Sequence, residues 1–314
     1  MTDLRRRRAG RTANAVALLA VHQRVRLGTA ELVPELDRAG SWLLFIDGVP
    51  QSGVDLTDPG YLEFEYVRRI AHAADLAFPP DEPLRALHLG GGALTLPRYL
   101  AHARPGSRQL VAEIDDELTA LIRQHLPLPA GHRIRVRADD ARAVTESIRP
   151  GSYDLVVADV YAGAVTPPHL TTAEFAAATA RALRPGGLYA VNVAAGPAMD
   201  GARSAVATVR SVYKETAMIA EASVLRGRRR GNLVILGSDQ PLPEAALARA
   251  AAGDPFPARL VTGQDLARFT AGAPVLTDAA IGQPGVRDDT DGDAVISDAD
   301  STASTETSPQ PTAW

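Results

Sequence analysis

The chain has 314 residues, of which 46% are hydrophobic and 22% charged, and a formal net charge of −4 at pH 7. It contains no cysteine, which excludes disulfides, a thiolate nucleophile and cysteine-bound zinc. The near-neutral charge gives no indication of a nucleic-acid partner, and no apolar run has the length of a membrane span. We therefore expect a globular cytoplasmic protein with neither a nucleic-acid nor a membrane partner.

The two ends of the chain differ in composition from the rest. Residues 1–11 form a basic start rich in arginine, and residues 282–314 are acidic, rich in serine and threonine, and poor in apolar residues. Such compositions cannot bury enough apolar surface to fold, so we expect disorder at both ends. Between them we predict an N-terminal β unit over residues 12–57 and a Rossmann-like α/β domain over residues 58–281.

The N-terminal unit has the pattern of a small antiparallel sheet. Residues 31–36, 42–46 and 49–54 read as strands, and Asp47-Gly48 lies between two of them at a hairpin turn. Asp58-Pro59-Gly60 then predicts the start of a helix, with the aspartate as N-cap and the proline in the first turn.

From residue 84 onward, strands alternate with helices, which predicts a mainly parallel sheet. The last two strands lack a convincing helix between them, so we expect them to form an antiparallel pair at the edge. The region 241–273 reads as a helical appendage. The predicted strands cover residues 86–89, 109–113, 133–137, 153–158, 187–193, 216–220 and 232–237, and the predicted helices residues 96–103, 116–125, 171–183, 201–212, 243–252 and 263–271.

Polar or glycine residues follow four successive predicted strands. The turn Gly90-Gly91-Gly92 follows the first strand, and Glu113 ends the second, roughly twenty residues further on. Asp139-Asp140 follows the third strand and Asp159 the fourth. Because ligands bind at the carboxyl ends of the strands in an open α/β sheet, these features together predict a nucleoside pocket.

Each acidic residue has a functional and a structural interpretation. Glu113 is expected to accept hydrogen bonds from both ribose hydroxyls, or it caps the helix that begins at Asp116. Asp139 or Asp140 is expected to face the exocyclic amine of an adenine, or both lie in a solvated turn. Asp159 is expected to act as a general base with a tuned pKa, or it caps the following loop.

Three ring side chains are further candidates. Tyr161 either packs on a substrate or serves as an ordinary aromatic cover, and His169 lies on a loop from which it could reach the cleft. His88 stands in the middle of an apolar strand, which favours a core histidine. No His, Asp or Glu group has the spacing of metal ligands, so we expect no metal.

These motifs resemble those of the spermidine synthase (polyamine aminopropyltransferase) family, which has the class I methyltransferase fold. The resemblance covers roughly residues 42–237. Its segments are residues 44–52 (the family's Leu-x-Leu-Asp-Gly-x-x-Gln-x hairpin), 58–63 (Asp-Glu-x-x-Tyr-His-Glu), 90–92 (the start of Gly-Gly-Gly-Asp-Gly-Gly), 113–115 (Glu-Ile-Asp), 140–142 (Asp-Ala/Gly-Arg) and 153–159 (Tyr-Asp-Val-Ile-Ile-x-Asp).

The resemblance implies a Rossmann-like class I methyltransferase sheet with an antiparallel C-terminal edge, preceded by a small β unit. It implies transfer of an aminopropyl group from decarboxylated S-adenosylmethionine, or use of S-adenosylmethionine itself, and an amine acceptor. Family members are commonly dimers, so a homodimer is implied as well. The resemblance implies that Gly90, Gly91, Gly92, Glu113 and Asp140 bind the donor and that Asp159 is the base; Asp139 stays the alternative to Asp140. Gln51 and Tyr61, which lie in the matching segments, join Tyr161 and His169 as substrate-side candidates.

Three positions depart from the family's pattern. The aspartate of the glycine motif is Ala93, the second acid after the fourth strand is Ala162, and the histidine of Tyr-His-Glu is Leu62. Because an ammonium in a cleft needs anionic or polar partners, a standard putrescine site does not follow from the sequence. Two alternatives stay open: an S-adenosylmethionine-dependent methyltransferase with an unknown acceptor, and a non-catalytic nucleoside-binding or dimer-forming homologue.

Overall fold

The computed structural model describes residues 20–163 and 165–282, which form one four-stranded and one eight-stranded sheet. The predicted disordered start at residues 1–11 lies outside the described residues, as does the predicted tail apart from residue 282. The division into units over residues 12–57 and 58–281 stays a prediction. Every helix within the described ranges is too short or too polar to span a bilayer.

The four-stranded sheet is antiparallel, and its strands lie side by side in chain order. The predicted hairpin turn is confirmed: Asp47 and Gly48 have φ values of +48° and +78°, and they join two paired strands. Sequence reasoning missed the first strand, because Val21 and Val25 are its only apolar residues. The strands are β1 (Val21–Val25), β2 (Gly28–Pro34), β3 (Ser41–Ile46) and β4 (Val49–Asp55).

The helix predicted to begin at Asp58 begins seven residues later, so this prediction is wrong. The first helix, α1, covers Glu65–Ala77 and has no side-chain cap. The carboxylate of Asp58 instead accepts the amide of Gly60 and pairs with Arg38, and the carbonyl of Asp58 accepts the amide of Tyr61. The Asp-Pro-Gly segment is therefore a turn that leads away from the first sheet.

The eight-stranded sheet has the order β12-β10-β11-β9-β8-β5-β6-β7. Strands β7, β6, β5, β8 and β9 are parallel, which confirms the predicted sheet. The predicted antiparallel pair exists as β10 and β11, and β11 is also antiparallel to β9. The strands are β5 (Arg85–Leu89), β6 (Arg108–Ala112), β7 (Ile134–Arg137), β8 (Tyr153–Ala158), β9 (Leu183–Ala195), β10 (Glu215–Glu221), β11 (Gly231–Ser238) and β12 (Ala258–Val261).

The predicted appendage is wrong in one respect, because its middle is a strand. Residues 258–261 form β12, which pairs with β10 and makes the true edge of the sheet. The four residues contain only one strongly hydrophobic pair, Leu260-Val261, which gave no strand signal. The remaining helices are α2 (Thr95–Ala103), α3 (Asp116–His125), α4 (Ala141–Ser147), α5 (Ala173–Ala182), α6 (Asp200–Val212), α7 (Ala222–Leu225), α8 (Glu244–Gly253), α9 (Gly263–Phe269) and α10 (Asp278–Ile281).

Both faces of the large sheet are covered, and β8 shows how its sequence produces this. Successive side chains of a strand point to opposite faces: Val156 joins the cluster that contains Phe175 of α5, whereas Leu155 and Val157 join the cluster that contains Ile70 of α1. An uninterrupted apolar run is what a strand buried on both faces requires. The polar residue that ends the run, Asp159, therefore emerges at the edge of the sheet.

The small sheet is packed against the large one through its own apolar side chains. Leu32, Leu44 and Val54 share a buried cluster with Leu121 and Ile122 of α3. Two hydrogen bonds also hold the small sheet against the large one. The amide of Leu27 donates to Asp115 Oδ2 at 2.9 Å, and the Thr95 hydroxyl donates to the carbonyl of Gly53 at 3.0 Å.

Candidate active site

A cavity of about 230 Å³ lies at the carboxyl ends of β5, β6, β7 and β8, and the small sheet forms one of its walls. We call it the central cavity. Its lining brings together ten of the eleven site residues predicted from the sequence, which are Gln51, Gly90, Gly91, Gly92, Glu113, Asp139, Asp140, Asp159, Tyr161 and His169. Tyr61 is the exception, since it does not line this cavity.

The glycine turn after β5 is enclosed by protein atoms. Gly90 has φ of +90°, and a Cβ built on it would lie 2.0 Å from the carbonyl oxygen of Asp159. A Cβ on Gly92 would lie 2.5 Å from the hydroxyl of Ser52. From the sequence, these glycines are expected to let a ligand approach the backbone. The structure gives a second reason: Asp159 and Ser52 leave no room for a side chain at Gly90 and Gly92.

Glu113 holds the glycine turn through backbone amides. Its Oε2 accepts the amides of Gly91 at 2.8 Å and Gly92 at 3.3 Å, and its Oε1 accepts the amide of Asp115 at 3.0 Å. The structural alternative for Glu113 was that it caps α3. That cap is Asp115, whose side chain accepts the amide of Leu118. A carboxylate offers about four acceptor positions, so Glu113 retains capacity for a further donor.

The two aspartates after β7 have different partners. Asp139 pairs with Arg137, whereas Asp140 caps α4 through Oδ1 and lies 2.8 Å from His169 Nε2 through Oδ2. Partial burial works to raise the pKa of Asp140, but hydrogen bonds from His169 and from the amides of α4 outweigh it and lower that pKa. Asp140 is thus ionised, and His169 lies close to the cavity wall beside it.

Asp159 lines the central cavity next to Gly90, the first glycine of the turn. Burial raises the pKa of its carboxyl above the ordinary value, while the hydrogen bond from Asn192 and the nearby Tyr66 hydroxyl act in the other direction. Asn192 Nδ2 donates to Asp159 Oδ1 at 2.9 Å. In the part of the chain that the structure describes, no arginine, lysine or histidine nitrogen pairs with Asp159. A carboxylate with a raised pKa and no cationic partner is suited to accept a proton.

Tyr66, and not Tyr61, lines the central cavity. Tyr61 lies outside the cavity, where its hydroxyl donates to Glu63 and the Arg38 guanidinium covers its ring. Tyr66 lies on α1 and faces Asp159, and burial together with the nearby carboxylate raises its pKa. Because α1 begins at Glu65, Tyr66 lies in its first turn, whereas Tyr61 lies in the turn that precedes it.

Asn192 is the second residue that sequence reasoning missed. It is a single polar residue within the apolar run of β9, between Val191 and Val193, and that interruption was the available signal.

His88 is a core histidine, as predicted: its Nε2 lies 2.8 Å from Gln109 Oε1, and burial lowers its pKa to about 4.

The three positions that depart from the family's pattern have different surroundings. Ala162 lines the central cavity, so an acid is missing from its wall. Ala93 is buried among the apolar side chains between the two sheets, and Leu62 is buried against α1. Among the described residues, no group of three His, Asp or Glu side chains could hold a metal ion.

The fold and the cavity define a Rossmann-like α/β protein of the class I methyltransferase type, with its site at the carboxyl edge of the sheet. A family model described as spermine/spermidine synthase domain matches residues 63–220. The chain belongs to the spermine/spermidine synthase family.

Two of three similar proteins carry names of this family, and the third is a methyltransferase. A polyamine aminopropyltransferase of Vibrio vulnificus is 30% identical over 201 residues, which are 62% of this chain and 64% of that protein. An N-terminal histidine N-methyltransferase of Emericella nidulans is 30% identical over 175 residues, 53% of this chain but 30% of that protein. The crystal structure of a probable spermidine synthase from Corynebacterium glutamicum is 37% identical, with a TM-score of 0.78, over 85% of this chain and 98% of that one. The chain therefore matches less than two thirds of the length of these two curated relatives.

Proposed function

We propose that the protein is a transferase that binds an adenosyl sulfonium donor in the central cavity and transfers an aminopropyl group to an amine. One observation carries the proposal: Gly90–Gly92, Glu113, Asp140 and Asp159 line a single cavity. Family membership supports it, and so does the likeness to a polyamine aminopropyltransferase. The donor is decarboxylated S-adenosylmethionine in this proposal.

The glycine-turn end of the cavity, formed by Gly90–Gly92, Glu113, Asp139 and Asp140, would hold the nucleoside. Glu113 is already fixed by three amides, and its remaining lone pairs point to the role of accepting the ribose hydroxyls. Asp140 is ionised and held by α4, so it can accept from the exocyclic amine of adenine. Both side chains are positioned before any ligand binds, which reduces the ordering cost of binding.

The Asp159 end, lined by Tyr66, Asp159 and Tyr161, would carry the reaction, with Asn192 bonded to the Asp159 carboxylate. The acceptor nitrogen attacks the carbon beside the positively charged sulfur, so a carbon–nitrogen bond forms while the carbon–sulfur bond breaks. The electron pair of that bond stays on the sulfur, which leaves as neutral methylthioadenosine, and the acceptor's surplus proton passes to Asp159. The cavity contributes by holding nucleophile and electrophile in line, and Asn192 orients the carboxylate.

Calorimetry with three nucleosides tests this proposal. We expect decarboxylated S-adenosylmethionine and methylthioadenosine to bind, and S-adenosylmethionine to bind at least tenfold more weakly. An absence of binding by all three would contradict the proposal and would favour a homologue without catalysis.

Methyl transfer from S-adenosylmethionine is a second candidate. Two observations favour it: Ala162 leaves the cavity wall without the second acid, and one relative is an N-methyltransferase. The same cavity and base would serve, because a methyl group on the sulfonium is attacked in the same way. Product analysis separates the two functions, since aminopropyl transfer releases methylthioadenosine whereas methyl transfer releases S-adenosylhomocysteine.

A further inference from the structure

A second open site lies at the edge of the large sheet that is opposite to the central cavity. It is a groove of about 490 Å³ at the amino ends of β5, β6, β7 and β8, and we call it the arginine groove. Because the central cavity lies at the carboxyl ends of the same strands, the groove is a separate site. Four arginines line it together with His132 and Tyr153; they are Arg85, Arg108, Arg133 and Arg135.

The strand sequences place these arginines on one face of the sheet. The β7 sequence alternates apolar residues with arginines, and successive side chains of a strand point to opposite faces. Arg85 of β5 is in register with Arg108 of β6, and Leu110 of β6 is in register with Arg135 of β7. Arginine side chains from three neighbouring strands therefore project from the same face.

The four guanidinium groups have no partner in the part of the chain that the structure describes: all four arginines are exposed, and none of their side chains forms a salt bridge or a hydrogen bond there. The carboxylate of Asp154 accepts the amide of Arg85, but its ion pair is with Arg184. Burial raises the pKa of Tyr153, and the nearby charges of Arg85 and Arg135 act in the other direction. Like charges that face one another repel, so an anion stabilises the groove.

The chain itself contains an anionic segment of matching charge. Residues 288–300, which we call the acidic segment, lie outside the described residues. They contain no basic residue and six aspartates, which are Asp288, Asp289, Asp291, Asp293, Asp298 and Asp300. The apolar pair Val295-Ile296 lies between the first four aspartates and the last two. The groove has a corresponding composition, because Leu110 and Tyr153 lie among its arginines.

The acidic segment can reach the groove from the last described residue. Asp278 pairs with Arg142 of α4, which directly follows β7, so the described chain ends close to the edge strand of the sheet. At about 3.3 Å a residue, the four residues of β7 separate its two ends by about 13 Å. The six residues from Gly282 to Asp288 extend by up to about 20 Å, so the connection is long enough.

The connection also favours the acidic segment over a separate partner. Exposed ion pairs are individually weak, but a short tether keeps the segment at an effective concentration in the millimolar range. A nucleic acid lacks this advantage. It would also find little base stacking, since Tyr153 is the one Phe, Tyr or Trp side chain among the lining residues of the groove and is half-buried.

We propose that the acidic segment binds in the arginine groove, with its aspartates on the guanidinium groups and Val295-Ile296 on Leu110 and Tyr153. Each guanidinium group can donate two parallel hydrogen bonds to one carboxylate, which favours this pairing. The bound segment covers the groove and thereby excludes nucleic acids and other polyanions. The inference does not depend on the proposed function.

The test measures the proximity of the acidic segment and the groove by energy transfer. Because the chain has no cysteine, two introduced cysteines are the sole labelling sites for a donor and an acceptor dye. One is Ala130→Cys, at an exposed position two residues before His132 of the groove. The other is Ser297→Cys, within the acidic segment.

Three variants of the labelled full-length chain are compared with the labelled chain itself. The groove variant is Arg108→Glu with Arg135→Glu. Its matched control is Arg249→Glu with Arg259→Glu, which reverses the charge of two exposed arginines in α8 and β12, on the side of the sheet that lies away from β7. The segment variant leaves the described structure untouched, because it changes four tail residues to asparagine: Asp288, Asp289, Asp291 and Asp293.

We expect energy transfer to fall by about half or more in the groove variant and in the segment variant, and to be unchanged in the matched control. It should also fall as sodium chloride is raised from about 0.05 M to about 0.5 M, because salt screens exposed ion pairs. Equal transfer in the labelled chain and in both the groove and the segment variant would overturn the inference. Binding of a short oligothymidylate by the unlabelled wild type, lost in the groove variant, would overturn it as well, since the groove would then be open to nucleic acid.

Discussion

The two ends of the central cavity are built in opposite ways. The glycine-turn end is held almost entirely by backbone amides, and both oxygens of Glu113 and of Asp140 have partners. The Asp159 end has fewer contacts. The Asn192 amide donates to Asp159, the Tyr66 hydroxyl lies near the same carboxyl, and Asn192 Oδ1 is buried without a hydrogen-bond partner among the described residues. One end is therefore organised before a ligand binds, whereas the other end still has hydrogen-bonding capacity.

The difference follows from where the residues lie in the chain. The glycine-turn end comes from residues 90–140, in which each motif directly follows a parallel strand. The Asp159 end combines side chains from α1, from the residues that follow β8 and from β9. Under the proposed function, the first end recognises a nucleoside common to many reactions, and the second end selects the acceptor.

The largest expected effect is on turnover, through the base. Asp159→Asn keeps the shape of the side chain and an oxygen for Asn192, but it cannot accept the acceptor's proton. We expect kcat to fall by about 10²- to 10⁴-fold, whereas methylthioadenosine binding, measured by calorimetry, changes by less than threefold. Turnover within twofold of wild type would remove Asp159 from the proposed role.

The next largest effect is on the free energy of unfolding. It tests the close approach of the glycine turn to the Asp159 backbone. Gly90→Ala places a Cβ against the carbonyl of Asp159 in a left-handed conformation, and we expect it to lower the free energy of unfolding by about 3 kcal/mol or more. Gly151→Ala is the matched control: Gly151 has φ of +66° and no neighbour within 4 Å, so it should cost only about 1 kcal/mol. Equal losses in urea denaturation would show that the close approach to Asp159 is unimportant.

A third prediction concerns the glycine-turn end alone. Glu113→Gln replaces one of the oxygens that accept backbone amides by an NH₂ group, and it removes the charge. We expect methylthioadenosine to bind about ten- to a hundredfold more weakly, which corresponds to the loss of one hydrogen bond to a charged group. Glu117→Gln, at an exposed position in the first turn of α3, is the control. Unchanged affinity in Glu113→Gln would argue against a ribose contact.

The smallest expected effect is a displacement of the pH profile. Asn192→Ala removes the hydrogen bond that lowers the pKa of Asp159, while the burial that raises this pKa remains. The base is protonated and inactive below its pKa, so the fall of kcat/KM toward acid should begin at higher pH than in wild type. A profile that moves toward lower pH, or that stays in place, would contradict the assigned hydrogen bond.

Much of the site could be predicted because its signals are local. Gly90–Gly92, Glu113, Asp140 and Asp159 each end an apolar run, and parallel strands bring such positions to one edge. The hairpin turn at Asp47 could be predicted equally well, because an Asp-Gly pair fits a turn with positive φ angles. For these residues, knowledge of the strand pattern was sufficient.

Other features depended on tertiary contacts. Asp58 has every local signal of an N-cap, but its carboxylate pairs with Arg38 and accepts the amide of Gly60. The helix α1 therefore begins later, and Tyr66 rather than Tyr61 lines the central cavity. Asn192 gained its importance from a contact with Asp159, 33 residues earlier. Strand β12 is too short to be recognised without its partner β10.

The most direct test of the account is a crystal structure of the protein with methylthioadenosine. We expect the nucleoside in the central cavity, with both ribose hydroxyls within hydrogen-bonding distance of Glu113, the adenine beside Asp140, and the sulfur facing Asp159. A nucleoside bound outside the central cavity, or turned so that its sulfur faces away from Asp159, would contradict the account.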